Sequence, residues 1–353
     1  MKFRRMPIEA ESPEQLGYDK IKYNLAESSV SDRFLSQFTV DFHSQLLCYG
    51  DHIGHPGLRD AIAEDAGSPI TIDNILITTG AATALFIIST TPLEKNDHMI
   101  VVRPNYATNI ETPRTIGCDI DFLDLSFEDS FQLNINKLRS LIRPETKLIS
   151  LTTPHNPTGV CLSTDEILQI LSLLEDTSAF LLIDETYGDM YDKSRQAVAA
   201  TLSDRLISVS SLSKSYAIPG IRIGWLITQN SELFHMFLCA KEQINICGSV
   251  IDEEIAFQAY TQREIWQPSN NKRIARTRNI VKNWIELEPL IEWVEPNGGC
   301  VCFPRLNPGV PVSIESFYKI LNERYETYVG QGHWFEMPKN YFRIGYAWPE
   351  EGE

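Results

Sequence analysis

No stretch of the 353-residue sequence gathers the roughly 18 apolar residues that a bilayer-crossing helix needs, and its basic opening, MKFRRMPIEAESPEQ, is not followed by an apolar run. Neither a membrane span nor a secretory signal is expected, and a cytoplasmic location is. Positive charge is scarce as well: 31 Lys and Arg against 47 Asp and Glu leave a formal charge of −16. Such a surface repels nucleic-acid phosphates and anionic lipid, so neither is an expected partner; much of the charge serves solubility. Paired cysteines are also missing. The seven present, at 48, 118, 161, 239, 247, 300 and 302, are odd in number and dispersed, the pattern of reduced thiols. Cys300 and Cys302 form a C-x-C with no second pair and no nearby His pair, so no metal site is expected. Low-complexity tracts and internal repeats are absent.

What is there reads as a folded globular chain long enough for two domains, with 43% hydrophobic and 22% charged residues. From residue 75 onward, short apolar runs alternate with amphipathic ones. NILIT, MIVV, CDIDFLDL, KLISLTT, AFLLIDE, LISVSSL and IGWLIT have the length of strands, several of them too apolar to be half-exposed; residues 81–91, 107–116, 135–142 and 164–174 have helical patterning. That alternation predicts an α/β fold, a mostly parallel central sheet with helices on both faces, plus a smaller α+β domain. We expect an N-terminal arm with part of the small domain over 1–40, a large domain over 41–265 and a small domain over 266–353.

The distinctive residues gather at predicted strand ends, where open parallel sheets bind ligands. Thr79-Gly80-Ala81-Ala82 turns from strand to helix, and free N–H groups there suit a phosphate. Thr153-Pro154-His155-Asn156-Pro157-Thr158-Gly159 is a stiff turn presenting Asn156; a plain tight loop is the alternative. Asp184 ends a run so apolar that its carboxylate needs a cationic or N–H partner. Further on, SLSKSYAIPGIRIGW (211–225) sets a lysine between two serines, with Pro219 stiffening and Gly220 permitting a turn that brings back Arg222.

Taken in order and spacing, HNPTG, D-x-x-Y, S-x-S-K and G-x-R resemble the active site of class I/II aminotransferases, the fold-type I enzymes dependent on pyridoxal 5′-phosphate (PLP). The resemblance runs from Tyr49 to Arg343. It implies that Lys214 holds the PLP aldehyde as a Schiff base, and that Ser211, Ser213, Arg222 and the backbone of Ala81 and Ala82 hold its phosphate. By the same resemblance Asp184 faces the pyridine nitrogen, Tyr187 and Asn156 hydrogen-bond the ring's 3-hydroxyl, and Tyr106 stacks on the ring; a core tyrosine opening a helix is the alternative for Tyr106. Arg343 would grip the α-carboxylate of an amino acid substrate, and Tyr49 would reach a neighbouring subunit's phosphate, which implies a homodimer with shared active sites. Relatives usually run a further helix beyond the arginine strand, whereas ten residues follow Arg343 here.

Transamination is the leading expectation. The alternative is a lyase or cyclase like capreomycidine and enduracididine synthases, which dehydrate a hydroxylated arginine and close a guanidine ring. Gln243-Ile244-Asn245 lacks the arginine with which dicarboxylate-specific relatives bind a second carboxylate, and Glu9, Glu27 or Asp189 could pair with a guanidinium. For each of these acids a solvated surface position is the competing reading. A regulator that keeps PLP without turnover is a third class, opposed by the retained Lys214, Asp184 and Arg343 and by the lack of a basic DNA-binding appendage.

Overall fold

The computed structural model describes residues 1–191, 195–310 and 312–349. All seven apolar runs become strands of one sheet, in the spatial order Ile75–Thr78, Gly224–Thr228, Leu206–Ser211, Phe180–Asp184, Thr146–Thr152, His98–Arg103 and Asp119–Asp124. From Leu206–Ser211 to Asp119–Asp124 every pairing is parallel. Gly224–Thr228 runs antiparallel to both of its neighbours. Its reversal has a local cause: the chain leaves Ser211, passes Lys214 and returns at Gly224 without a crossover helix, and such a short return pairs antiparallel.

The central strands are buried at nearly every position because both faces are covered, whereas the edge strand Asp119–Asp124 is only partly buried. In His98–Arg103, Met99 and Val101 share a cluster with Ala84, Leu85 and Ile88 of helix Gly80–Thr90. Ile100 and Val102, the alternate residues, join Leu138, Ile167 and Ile170 on the opposite face. Each such side chain contributes roughly 1.5–3 kcal/mol by leaving water. Helix Thr164–Ser172 starts at a reciprocal cap, in which the Glu166 N–H donates to the Ser163 hydroxyl at 3.2 Å and the Ser163 N–H to the Glu166 carboxylate at 2.8 Å.

A second sheet has the order Tyr23–Leu25, Thr327–Gln331, Phe342–Gly345, Val301–Cys302. Its first pair is parallel, Tyr23 lying opposite Thr327, so a segment near the start of the chain is held by one near its end. Helix Arg263–Leu287 runs through residue 265, so the expected boundary falls inside a continuous helix. Among the described residues no helix is long and apolar enough to cross a membrane, no cluster of His, Cys, Asp and Glu could hold a metal ion, and the seven cysteines are free.

Candidate active site

A cavity of about 610 Å³ opens where the carboxyl ends of the large sheet's strands meet the N-terminal arm and the second sheet. Asp184, Tyr187, Asn156, Ser211, Ser213, Lys214 and Arg222 line it, as do Ala81, Ala82, Tyr106, Arg343, Glu9 and Glu27. Strand register explains part of this convergence: Asp184 lies between Thr152 and Val209 at the end of its strand, and Ser211 lies opposite Gly224.

The Lys214 amine donates to the Ser28 hydroxyl at 3.0 Å, and burial lowers its pKa from the ordinary lysine value. Asp184, 5% exposed, is pushed the other way, its pKa raised by burial. The Thr186 N–H and hydroxyl both donate to its Oδ1, at 3.0 and 2.6 Å, and it has no ion pair among the described residues. The Thr186 and Asn109 hydrogen bonds and the charge of Lys214 offset only part of that rise. Tyr187 is 3% exposed and its hydroxyl has no partner at hydrogen-bonding distance. Burial raises its pKa too.

Opposite, two glycines bring three elements together. At Gly80, with φ +76°, a Cβ would meet Arg222 Nη2 at 2.5 Å; at Gly224 it would meet the Ala81 nitrogen at 2.5 Å. The guanidinium of Arg222 therefore packs over the first turn of an 11-residue helix whose leading N–H groups have no intrahelical acceptor. Arg222 Nη1 donates to the Pro219 carbonyl at 2.9 Å and approaches the Ser213 hydroxyl at 3.5 Å. Left-handed backbone falls at Ala217 (φ +60°) and Arg222 (φ +54°) rather than at Gly220, because Pro219 opens a 3-10 turn over Pro219–Ile221 that Arg222 terminates. This corrects the turn role expected for Gly220.

Arg343, 4% exposed, donates through Nη1 to the Asn156 side-chain oxygen at 3.0 Å and through Nη2 to the Ala26 carbonyl at 2.6 Å. Its Nε is buried without a partner, and no carboxylate pairs with it among the described residues. His155 serves the loop rather than the cavity. Its Nε2 donates to the Pro104 carbonyl at 2.9 Å, which leaves Nδ1 to accept from the Thr158 hydroxyl at 2.8 Å, and burial lowers its pKa to about 4.

Two expected positions lie elsewhere. Asp189 is outside the cavity, its Oδ1 bound to Arg195 Nε at 2.9 Å, and is withdrawn from the substrate-binding set: the turn after Tyr187 aims it at the charged group formed by Arg195 and Asp65. Tyr49 is 80% exposed and also outside the cavity. Glu9 lines the cavity, yet its Oε2 accepts the Met6 N–H at 2.7 Å and closes the first helical turn. Sequence reasoning missed Ser28, Thr186, Ser12, Glu14, Tyr18 and Asp32, which carry no motif and reach the site only through the fold.

The site matches the needs of PLP on its own geometry: an unpaired buried acid for a pyridinium N–H, an unpaired phenol for a ring hydroxyl, a phosphate cradle that a Cβ would fill, and one lysine. Comparison agrees. The family model for aminotransferase class I and II matches residues 34–353. The aspartate aminotransferase of Pyrococcus horikoshii is 27% identical over 314 residues, 86% of this chain and 79% of that protein. Capreomycidine synthase of Streptomyces vinaceus is 25% identical over 302 residues, 85% and 76% of the two chains. A solved PLP-dependent aminotransferase from Streptococcus suis superposes with a TM-score of 0.92 at 26% identity, covering 99% of this chain and 95% of that one.

Proposed function

The chain belongs to the class I and II aminotransferases and is thus a PLP-dependent enzyme, and on that premise we propose that it takes the amino group from an α-amino acid whose carboxylate Arg343 binds. The observation that carries this reading is Arg343 itself: a buried guanidinium with an unpartnered Nε, no acidic partner among the described residues, and a place on the same cavity wall as Lys214. When bound, the cofactor supplies an aldehyde for amine capture and a protonated ring that accepts the electron pair released at the substrate's Cα.

The protein does the rest. Asp184, fixed by Thr186, would keep the ring nitrogen protonated, and a cationic N–H there would offset the burial that raises its pKa. Asn156 and Tyr187 orient the ring's hydroxyl, and Arg222 with the turn at Ala81 anchors the phosphate. Lys214, on the cavity wall with its amine held by Ser28, would hold the cofactor and would take the Cα proton. Its lowered pKa enlarges the neutral, basic fraction. Replacing Lys214 by Ala should remove the visible absorbance of the bound cofactor and cut keto acid formation by roughly 100- to 10,000-fold. A variant that keeps both would end this reading.

The likeness to capreomycidine synthase supports a second reading, elimination with ring closure. Mass spectrometry separates the two: a keto acid means transamination, whereas loss of water with the amine retained means cyclisation. We further read the protein as a cytoplasmic homodimer. Free cysteines support the location, and exposed Leu46, Leu47 and Tyr49 support the association.

A further inference from the structure

A lysine that takes a proton from Cα needs its lone pair aimed as well as free, and a lysine amine turns easily about its last carbon–nitrogen bond. Something has to stop that rotation. A carboxylate would do so badly, because its charge favours the ammonium form, which has no lone pair to offer. Ser28 stops it without adding charge: its hydroxyl accepts from Lys214 Nζ at 3.0 Å. Among the described residues it is the amine's one hydrogen-bond partner, and no carboxylate is within ion-pairing distance of Nζ. The ionisable groups around the amine act from farther off. Burial lowers its pKa most; Glu27, Cys300 and Glu14 raise it, Arg343 lowers it, and Asp32 and Asp184 feel its charge in turn.

Backbone bonds fix Ser28 relative to the lysine. The Val30 N–H donates to the Lys214 carbonyl at 3.4 Å, the Arg33 N–H to the Ala217 carbonyl at 2.9 Å, and Arg33 Nε to the Tyr216 carbonyl at 3.1 Å. Three bonds thus lace this segment to the loop that carries Lys214. On its other side Arg343 Nη2 donates to the Ala26 carbonyl at 2.6 Å, the Ala26 N–H donates to the Asn24 side-chain oxygen at 3.1 Å, and a Cβ at Gly345 would collide with the Glu27 carbonyl. Ser28, 5% exposed, therefore lies on a fixed stretch between the guanidinium that grips the carboxylate and the amine that takes the proton. It also acts on Tyr187, where burial raises the pKa and the Ser28 hydroxyl offsets a little of that rise. One hydroxyl serves both the amine and the phenol.

We propose that Ser28 is the positioning residue of Lys214: its hydroxyl takes one N–H of the free amine and so aims the lone pair at the substrate's Cα, whose proton passes to Nζ while the electron pair left behind passes to the bound cofactor. The inference rests on the aminotransferase reading above. Arg343 is held by Asn156 and the Ala26 carbonyl without help from the Ser28 hydroxyl, so the grip on the substrate and the aim of the base are separable.

Two measurements test this. In the first, the PLP-loaded enzyme in heavy water receives the standard amino acids one at a time, and mass spectrometry reads deuterium uptake at Cα. Ser28→Ala should exchange about 10- to 100-fold more slowly at saturation, with the half-saturating concentration close to that of wild type. Ser28→Thr, which keeps the hydroxyl, should recover most of the rate. The second uses the cofactor-free protein: trace acetylation by acetic anhydride over a pH series, with mass spectrometry of the Lys214 peptide, gives the pH at which that amine becomes reactive. An ammonium donates to a hydroxyl more strongly than an amine does, so Ser28→Ala should lower this pH by about one unit. Ser28→Gly also lacks the hydroxyl and takes its place should the alanine variant not fold. If Ser28→Ala exchanges as fast as wild type, if only its half-saturating concentration rises, or if Ser28→Thr is equally slow, the inference falls and the aminotransferase reading survives. An unmoved labelling pH would overturn it in the same way. If the wild type exchanges none of the amino acids, the aminotransferase reading falls with it.

Discussion

Lys214 and His155 are both titratable groups deprived of water, with opposite purposes. For Lys214 the lowered pKa is useful, because a neutral amine can accept the Cα proton. Exchange of the substrate's Cα proton with solvent should accordingly rise with pH through an inflection below the free lysine value of about 10.4; an inflection at or above it would remove burial as the source of basicity. His155 instead shows up in stability. Its folded pKa of about 4 lies below the ordinary 6.5, so the unfolded chain binds the proton first as pH falls. The sign follows: stability is complete above about pH 6.5 and is lost progressively down to about pH 4, by roughly 3 kcal/mol in all. Denaturant titrations of wild type and His155→Gln across that window should show the variant's stability varying less with pH, since Gln has no proton to gain.

At the scale of elements, the meeting of strand, helix and arginine at Gly80 and Gly224 has a measurable signature. A Cβ at Gly224 would press on the backbone nitrogen of Ala81, which cannot step aside as a flexible side chain can. Gly224→Ala should weaken PLP binding by about 10-fold or more in a fluorescence titration while circular dichroism stays close to wild type. Separately, Ser163→Ala removes the hydroxyl that caps helix Thr164–Ser172 and should cost about 1 kcal/mol by chemical denaturation.

The seven strands of the large sheet were legible in the sequence because each is built round a short apolar or alternating run of strand length, and HNPTG, D-x-x-Y and S-x-S-K were legible because each packs several constrained residue types into a few positions. Tyr23–Leu25 and Thr327–Gln331 escaped notice for a physical reason. They are short and partly exposed, and what makes them strands is their pairing with each other across most of the chain. Asp32, Glu14 and Tyr18 were invisible for the same reason: an isolated acid or phenol reads as surface until the fold sets it beside a lysine. The misplacement of Asp189 has a related origin, since five positions after Asp184 the chain has already turned toward Arg195.

On the scale of the whole molecule, Leu46, Leu47 and Tyr49 are 72%, 73% and 80% exposed in the single chain, an apolar run that water does not stabilise. If a second copy covers it, Leu46→Glu with Leu47→Glu should yield monomers in sedimentation velocity and lower the affinity for PLP, because the partner's Tyr49 would no longer reach the phosphate. A double variant that sediments as wild type would dismiss that interface.

The parallel pairing of Tyr23–Leu25 with Thr327–Gln331 sets an order of assembly. A ribosome completes every strand of the large sheet, the last ending at Thr228, well before it makes the strand that pins the arm. A nascent chain can therefore assemble the phosphate-binding cradle while the arm still hangs free and before Arg343 has been made, so the vitamin's anchor is in place ahead of the grip on what it transforms.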